Sequence, residues 1–309
     1  MPPERIFVIT SSGIESRVRF GLRDLTGINV VGEPRGRNTA PALALASLLV
    51  SRRSPDAVCA VLPSDHVVGK RSEFLRNLRQ AAGAARRGNL VVFGVKPTRA
   101  ETGYGYIHAG GREQTRGSDA LRVKRFVEKP DRRTAERFLK SGEHYWNSGM
   151  FVWRVDVFLD GVRRHMPALH RNLTRFERDL GRKTQRSALR DFYSSVDAES
   201  IDYGLLEKSR NIVMVKAGFP WDDLGAWTSL ERISGTDKNG NVSHGRTVAL
   251  DTKDCVIFSQ QGLVATLGVR DLVIVRTEDV TLVCAREMAQ EVKRVSRALS
   301  ASGRLKKFL

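Results

Sequence analysis

Strand-like and helix-like segments alternate along the first three quarters of this 309-residue chain, and that alternation restricts the fold more than any other feature. RIFVIT (5–10), DAVCAVL (56–62), LVVFGV (90–95), LRVKRFVEK (121–129), GMFVWR (149–154) and NIVMVKAG (211–218) are short runs rich in apolar and β-branched residues, the composition of strands. PALALASLLVSRR, EFLRNLRQAAGAARR, TAERFLK and SIDYGLLEKS carry helical spacing between or after them. Asn38 and Thr39 can cap the first of these helices with Pro41 in its opening turn, and Ser141-Gly142 can end TAERFLK. Strands separated by helices return by crossover connections. The expected architecture is therefore α/β, a doubly wound and mainly parallel sheet covered on both faces.

From Gly240 the pattern changes. RTVALD, CVIFSQ, LVATLGV, DLVIVRTED and VTLVCA follow one another with turn residues between them and no helix, until AREMAQEVKRVSRAL supplies a helical pattern. This predicts a small C-terminal β domain, with a short β-helix as one form it could take, and a terminal helix. The polar stretch SGTDKNGNVSHG (234–245) is the natural boundary, giving expected domains of 1–238 and 239–309. Hydrophobic residues make up 41% of the chain, enough for a sizeable core.

The formal charge of +18 comes from 52 Lys and Arg against 34 Asp and Glu. Its distribution matters more than its size: the RR pairs at 52, 86, 132 and 163 are scattered, no block of five or six like charges occurs, and no aromatics interleave in a stacking pattern. A solvated arginine-rich surface that favours anionic nucleotides at long range is expected, without nucleic-acid binding. No apolar stretch reaches the roughly 18 to 20 residues of a bilayer span, and no export pattern opens the chain, so the expectation is a cytoplasmic protein without a membrane partner. Cys59, Cys255 and Cys284 lie far apart in apolar runs, which suits buried thiols better than zinc or redox chemistry.

In doubly wound sheets ligands bind beyond the carboxyl ends of the strands. Pro63-Ser64-Asp65-His66 follows one strand, and a carboxylate there could hold a hard cation such as Mg²⁺; an Asx turn is the plainer reading, and His66 suits a structural hydrogen bond. Phe219-Pro220-Trp221-Asp222-Asp223-Leu224-Gly225-Ala226-Trp227 brings a second acidic loop, of which one Asp can meet Asp65 at a shared metal, unless Asp222 or Asp223 simply caps a helix over LGAWTSLERI. Glu128-Lys129-Pro130 offers an acceptor for sugar hydroxyls and a point charge for a phosphate, or an exposed surface pair. Glu101-Thr102-Gly103-Tyr104-Gly105-Tyr106 sets glycine beside tyrosine, so backbone could approach a sugar ring. Asn147, in Trp146-Asn147-Ser148-Gly149 between helix and strand, could bond vicinal hydroxyls or form a turn.

EPRGRNTAPALALA, VLPSDHVV, FGVKPTRAETGYGYI, FVEKPD, YWNSGMFVWR, ESIDYGLLEKS and WDDLGAW, in this order, resemble the mannose-1-phosphate guanylyltransferase (GDP-mannose pyrophosphorylase) family, and GLVATLGVRDLVIVRTEDVTLVCAREMAQEVKRV is similar to the β domain that follows its catalytic domain. The resemblance covers the chain from about Arg5. It implies a Rossmann-like nucleotidyltransferase in which Asp65 and Asp223 are the metal carboxylates, Gly105, Glu128, Lys129, Asn147 and Asp202 form the sugar-phosphate pocket, and Arg37, Asn38, Thr39 and Pro41, with Ser64, lie by the nucleotide. Asp65, Asp223 and Lys129 would be catalytic. The implied reaction is attack by a mannose-1-phosphate oxygen on the α-phosphorus of GTP with Mg²⁺, releasing pyrophosphate by positioning and charge neutralisation. GTP and mannose-1-phosphate are the implied partners, glucose-1-phosphate stays open as the sugar, and a homodimer is compatible with the family.

One departure is large. The family begins with a strand entering a loop of the form G-G-x-G-x-R-x-x-P-L-S, and no such sequence occurs in this chain. RIFVIT matches the family's second strand, so the resemblance implies that a central first strand is missing. Ladder hydrogen bonds worth about 0.5 to 1.5 kcal/mol net each would go unmade, and apolar area worth about 25 cal/mol per Å² would be exposed. Weak or absent turnover follows as an expectation, and a non-catalytic homologue that binds sugar phosphate or nucleotide, or regulates a full-length partner, is the alternative.

Overall fold

The structure is a computed structural model that describes residues 2–112 and 119–308. Its elements, in chain order, are β1 (Phe7–Ser11), α1 (Glu15–Gly21), β2 (Asn29–Glu33), α2 (Thr39–Ser51), β3 (Val58–Val61), β4 (Val67–Val68), α3 (Arg71–Arg86), β5 (Leu90–Val95), β6 (Tyr106–Arg112), β7 (Leu121–Val127), α4 (Arg132–Ser141), β8 (His144–Arg154), α5 (Val155–His165), α6 (Pro167–Glu177), α7 (Gln185–Ser195), α8 (Ile201–Gly204), β9 (Ile212–Lys216), β10 (Trp221–Asp222), α9 (Ser229–Ser234), β11 (Val242–Leu250), β12 (Val256–Leu267), β13 (Leu272–Arg276), β14 (Thr281–Ala285) and α10 (Lys293–Ala301). They form two compact units, one of residues 1–63 and 70–219, the other of 64–69 and 220–309.

The first unit is built on a six-stranded sheet of order β3-β8-β5-β9-β7-β6. It is mixed, which corrects the expectation of a mainly parallel sheet: only β5 and β9 pair in parallel, while β8 runs antiparallel to both β3 and β5, and β7 antiparallel to β9 and β6. β3, β5 and β9 therefore share a direction, and β8 is inserted against it. A run such as GMFVWR records burial on both faces, not direction, so the inversion left no trace in the composition. β8 also begins five residues before that run, so Trp146 to Gly149 lie in a strand rather than in a turn.

Alternation within β5 and β9 divides the sheet's surroundings. Leu90, Val92, Ile212 and Met214 join one core with Ala44 and Leu48 of α2, Phe158 and Val162 of α5, Leu169 and Leu173 of α6, and Ile201 of α8. Trp153 stacks on Phe158 there, with ring centroids 4.3 Å apart. On the opposite face Phe93 meets Phe219, which meets Phe74 of α3 edge-on at 5.3 Å. Ala81, Ala84 and Ala85 let α3 approach closely.

β1 and β2 form a separate parallel pair, Phe7 opposite Asn29 through Ser11 opposite Glu33. Val31 of β2 and Cys59 and Val61 of β3 pack against the same core, yet among the described residues no ladder joins β1 to β3. One edge of each is thus unpaired, and both are only partly buried, whereas β5 and β9 are buried almost throughout.

The second unit differs from the expected domain of 239–309, because residues 64–69 and 220–238 belong with it. β4 pairs antiparallel with β10, and Trp227 and Leu230 pack on a core of Val256, Val273, Val275 and Ala289. The β-rich tail forms a four-stranded sheet of order β11-β12-β13-β14. β11, β12 and β13 are parallel although only short turns connect them, so the chain coils: Val242 lies beside Val256 and Val256 beside Val273, while Leu250 lies beside Leu267 and Lys253 bridges Arg270. The corner at Gly245 (φ 82°) admits only glycine, since a Cβ would stand 1.9 Å from the Ser259 carbonyl oxygen. The closing helical pattern resolves into a 3₁₀ stretch, Arg286–Val292, followed by α10.

Candidate functional site

In the first unit, Gly105, Glu128, Lys129, Asn147 and Asp202 come together. The Asn147 N–H donates to the Gly105 carbonyl at 2.8 Å and the Lys129 N–H to the Tyr104 carbonyl at 3.2 Å, tying the ends of β7 and β8 to the glycine loop. Gly105 is required for this closeness: a Cβ there would stand 2.3 Å from Glu128 Oε2 and 3.4 Å from Asn147 Cβ. Asn147 Nδ2 donates to Asp202 Oδ1 at 2.7 Å, and its Oδ1 accepts from the Gly149 N–H at 3.2 Å. Lys129 Nζ lies 3.3 Å from Glu128 Oε1, with the lysine largely in solvent and the glutamate largely shielded.

Burial, and then the neighbouring charge of Glu128, push the Asp202 carboxyl up to about 6, against the opposing hydrogen bond from Asn147. Burial and Glu128 likewise raise the Glu207 carboxyl and the Tyr203 hydroxyl. A concentration of acceptors with one flexible ammonium at its rim suits a polyhydroxylated ligand carrying a phosphate. The sequence reading missed Tyr203 and Glu207, although both stand within SIDYGLLEKS. It also missed Arg99, whose guanidinium lies over the rings of Trp146 and Tyr104 (4.8 and 5.6 Å), bonds the Tyr104 hydroxyl at 3.3 Å and pairs with Glu101 at 3.0 Å. An arginine just ahead of a glycine-tyrosine loop was the available signal.

Asn38 caps α2 through its Oδ1, which accepts from the Thr39 N–H at 2.8 Å, and Pro41 is buried in the first turn. The neighbouring side chains are engaged within the fold. Thr39 Oγ1 accepts from the Ile201 N–H at 2.9 Å, and Arg37 Nε donates to the Tyr193 carbonyl at 2.9 Å. This loop is thereby fastened to the segment that carries Asp202.

Ser64, Asp65, Asp222 and Asp223 lie in the second unit. Val67 pairs with Asp222 and Val68 with Trp221, a register that extends to set His66 opposite Asp223. His66 Nδ1 accepts from the Trp221 indole N–H at 3.1 Å, so its Nε2 carries the proton when the ring is neutral, 3.9 Å from Asp65 Oδ1. His66 thus has the structural bond expected of it. Burial lowers its pKa, and the charges of Asp65, Asp223 and Asp222 partly restore it.

The two acids of the WDD loop have different tasks. Asp222 is buried in a two-pronged ion pair with Arg232. Asp223 Oδ1 accepts from the Gly225 N–H at 3.0 Å in an Asx turn. Neither caps a helix, because α9 begins only at Ser229. Asp65 is 84% exposed. Two hard oxygen donors of this kind fit Mg²⁺, which keeps waters and is bound through one or two carboxylates plus substrate phosphate; among the described residues no group of three or more His, Cys, Asp or Glu is placed to hold a metal alone.

Asn38, Lys129 and Leu224 hold left-handed φ of 65°, 45° and 51°. Such backbone costs a non-glycine residue of order 1 kcal/mol or more and concentrates at ligand sites. Lys70, Asp251, Asp254 and Asp271 share positive φ, so the backbone strain is not confined to the capping, sugar-pocket and acidic loops.

The nucleotidyl transferase family matches residues 3–240. The chain belongs to that family. A second match, described as a MannoseP isomerase/GMP-like beta-helix domain, covers residues 245–299. Among curated relatives, the Xanthan biosynthesis protein XanB of Xanthomonas campestris pv. campestris (strain B100) is 42% identical over 88% of this chain and 57% of its own length. A mannose-1-phosphate guanylyltransferase of Escherichia coli is 39% identical over 89% of this chain and 60% of its own. The chain thus spans about three-fifths of the length of the curated relatives it matches. A crystal structure from Thermus thermophilus, described as a mannose-1-phosphate geranyltransferase, superposes with a TM-score of 0.86 at 36% identity, covering 97% of this chain and 85% of that one. Among the described residues no helix is long and apolar enough to cross a membrane.

Proposed function

We propose that this nucleotidyl transferase makes GDP-mannose. An oxygen of mannose-1-phosphate attacks the α-phosphorus of GTP, the α–β phosphoanhydride bond breaks, and pyrophosphate leaves with that bond's electron pair. The observation that carries the reading is the pocket in which Gly105 gives way to Glu128 while Asn147 holds Asp202. Glu128 and Asp202 accept from hexose hydroxyls, the Gly105 backbone lies against the ring, and Lys129 neutralises the sugar phosphate. Asp65 and Asp223 are the residues that would hold Mg²⁺, which when bound offsets charge on the phosphates. The loop of Arg37, Asn38, Thr39 and Pro41, with Ser64, faces the nucleotide in this reading. No protein nucleophile is required, so rate comes from alignment and charge neutralisation. A relative named mannose-1-phosphate guanylyltransferase supports the choice of substrates. The coiled strands of the second unit are read as a short β-helix, and the protein as cytoplasmic.

β1 and β3 each have one edge without a partner strand among the described residues, and no G-G-x-G-x-R loop of the kind that wraps a triphosphate occurs in these 309 residues. A binding protein without turnover is the second reading.

Calorimetry with mannose-1-phosphate, joined to a pyrophosphate-release assay with GTP and Mg²⁺, separates these. Saturable sugar-phosphate binding that Glu128→Gln and Asp202→Asn each weaken at least tenfold is expected, with tighter binding than glucose-1-phosphate. Absence of binding overturns the pocket; binding with no turnover selects the second reading; turnover of several per second, typical of enzymes, overturns the second reading.

A further inference from the structure

A cavity of about 570 Å³ lies beside α3, against the end of β9 and the start of β7. It is separate from the sugar pocket. Val215 lines it, whereas Met214, one residue earlier, is buried on the other side of the sheet in the core that contains Ile201, the neighbour of Asp202. Successive residues of a strand face opposite ways, so the cavity and the pocket occupy opposite faces.

Its lining carries a net positive charge: Arg76, Arg79 and Arg87 against Asp119, with Glu73 beside Arg76. Lys216 borders it from β9, but its side chain points to the opposite face with Met214, its ammonium 5.7 Å from the centroid of the Tyr145 ring. Arg76 pairs with Glu73, while Arg79 makes no ion pair among the described residues. Three guanidinium groups brought to one cavity, against Asp119 and the Glu73 that pairs with Arg76, leave a surplus of cationic donors for an anion.

The floor is polar and rigid. Asn77 is 4% exposed; its Oδ1 accepts from the Gly218 N–H at 2.8 Å and its Nδ2 donates to Gln80 Oε1 at 2.8 Å. Gly218 keeps the floor open, since a Cβ there would stand 3.3 Å from Asn77 Oδ1 and from Glu73 Oε2, and 3.4 Å from an Arg76 guanidinium nitrogen. The volume is that of a metabolite site, not of a single ion, and guanidinium forks match phosphate oxygens.

We infer that this cavity is a second anion site that binds a phosphorylated small molecule on the face of the sheet opposite the sugar pocket. Lys216 is paired in the ladder with Gly94, which is itself paired with Asn147, so occupancy bears on the strand that positions the pocket. The site does not depend on the proposed reaction.

Inorganic phosphate, titrated calorimetrically into the 309-residue chain at constant ionic strength in chloride, is the probe. Saturable binding is expected to survive Lys129→Ala, to weaken at least tenfold in Arg76→Ala/Arg79→Ala, and to be unaffected by Arg182→Ala/Arg186→Ala, which removes the same charge elsewhere. Gly83→Glu provides an independent variant: Gly83 lines the cavity in mid-helix, the nearest atom to a Cβ there is an Arg87 nitrogen at 3.9 Å, and the new carboxylate would compete with phosphate while Gly83→Ala would not. No saturable binding to the parent, loss of binding with Lys129→Ala, or equal weakening by the Arg182/Arg186 pair would each overturn the inference.

Discussion

β5 and β1 are apolar strands of similar composition in one unit, yet they have different fates. Val91, Val92 and Phe93 of β5 are wholly buried, with a partner strand along each edge. Phe7, Val8 and Ile9 of β1 are half-buried, with β2 on one edge and no strand on the other among the described residues. An apolar run states that a strand seeks cover; whether cover is found depends on neighbours that the run does not encode. The pocket residues hang on the closed six-stranded sheet, whereas the capping loop at Asn38 follows β2 of the separate two-stranded pair, so the two halves of the proposed site rest on supports of unequal strength.

The sharpest way to break this contrast is a matched pair of truncations. Phe93→Ala removes a fully buried ring and should cost about 3 to 5 kcal/mol in urea unfolding. Phe7→Ala removes a half-exposed ring, over which Arg53 lies at 5.0 Å, and should cost about 1 kcal/mol. Equal losses would mean that β1 is as well supported as β5.

Next in size is Gly105→Ala. Its methyl would have to displace Glu128, so mannose-1-phosphate binding should fall about 100-fold, about 2.7 kcal/mol, with the melting temperature nearly unchanged. Unaltered binding would show that Glu128 can move aside and that the six-stranded sheet does not fix the pocket.

Asp202 tests the same rigidity through pH. Its folded pKa of about 6 exceeds the ordinary 3.8, so the folded state holds this proton more tightly than the unfolded chain does. Its relative stabilisation is complete below about pH 4 and is lost as pH rises through 6. Asp202→Asn should therefore remove a stability decline of about 2 kcal/mol between pH 4 and pH 7, measured by urea unfolding at each pH. Asn147 can still donate to the new amide oxygen. Parallel pH profiles for parent and variant would mean that Asp202 is better solvated than its surroundings indicate.

Much of this was legible in the sequence because it is local. β-branched runs marked the strands, and the motif residues Gly105, Glu128, Lys129, Asn147 and Asp202 do converge. What failed depends on distant partners. The reversed direction of β8 is set by β3 and β5, and the separate tasks of Asp222 and Asp223 are set by Arg232, ten residues after the first of them. The division of the units turns on a two-residue strand, β4, which finds its partner across more than 150 positions. Helices α5 and α6 were a different kind of miss: Val155, Phe158, Val162, Met166, Leu169, Leu173 and Phe176 recur at helical spacing and are all buried, a signal that was present.

The smallest effect probes the link between the two parts. Thr39 was expected to serve the nucleotide, but its Oγ1 accepts from the Ile201 N–H, and the next amide, Ala40, donates to the Glu199 carbonyl at 3.1 Å. Thr39→Val keeps the shape and removes the acceptor, leaving a partly buried N–H unsatisfied at a cost of about 1 kcal/mol. Because Ile201 precedes Asp202, the loss should also weaken mannose-1-phosphate binding a few-fold, though Thr39 need not touch that ligand. A variant with parental stability and parental sugar binding, but weaker GTP binding, would return Thr39 to the nucleotide alone, and the β1–β2 pair would then carry its half of the site without help from the six-stranded sheet.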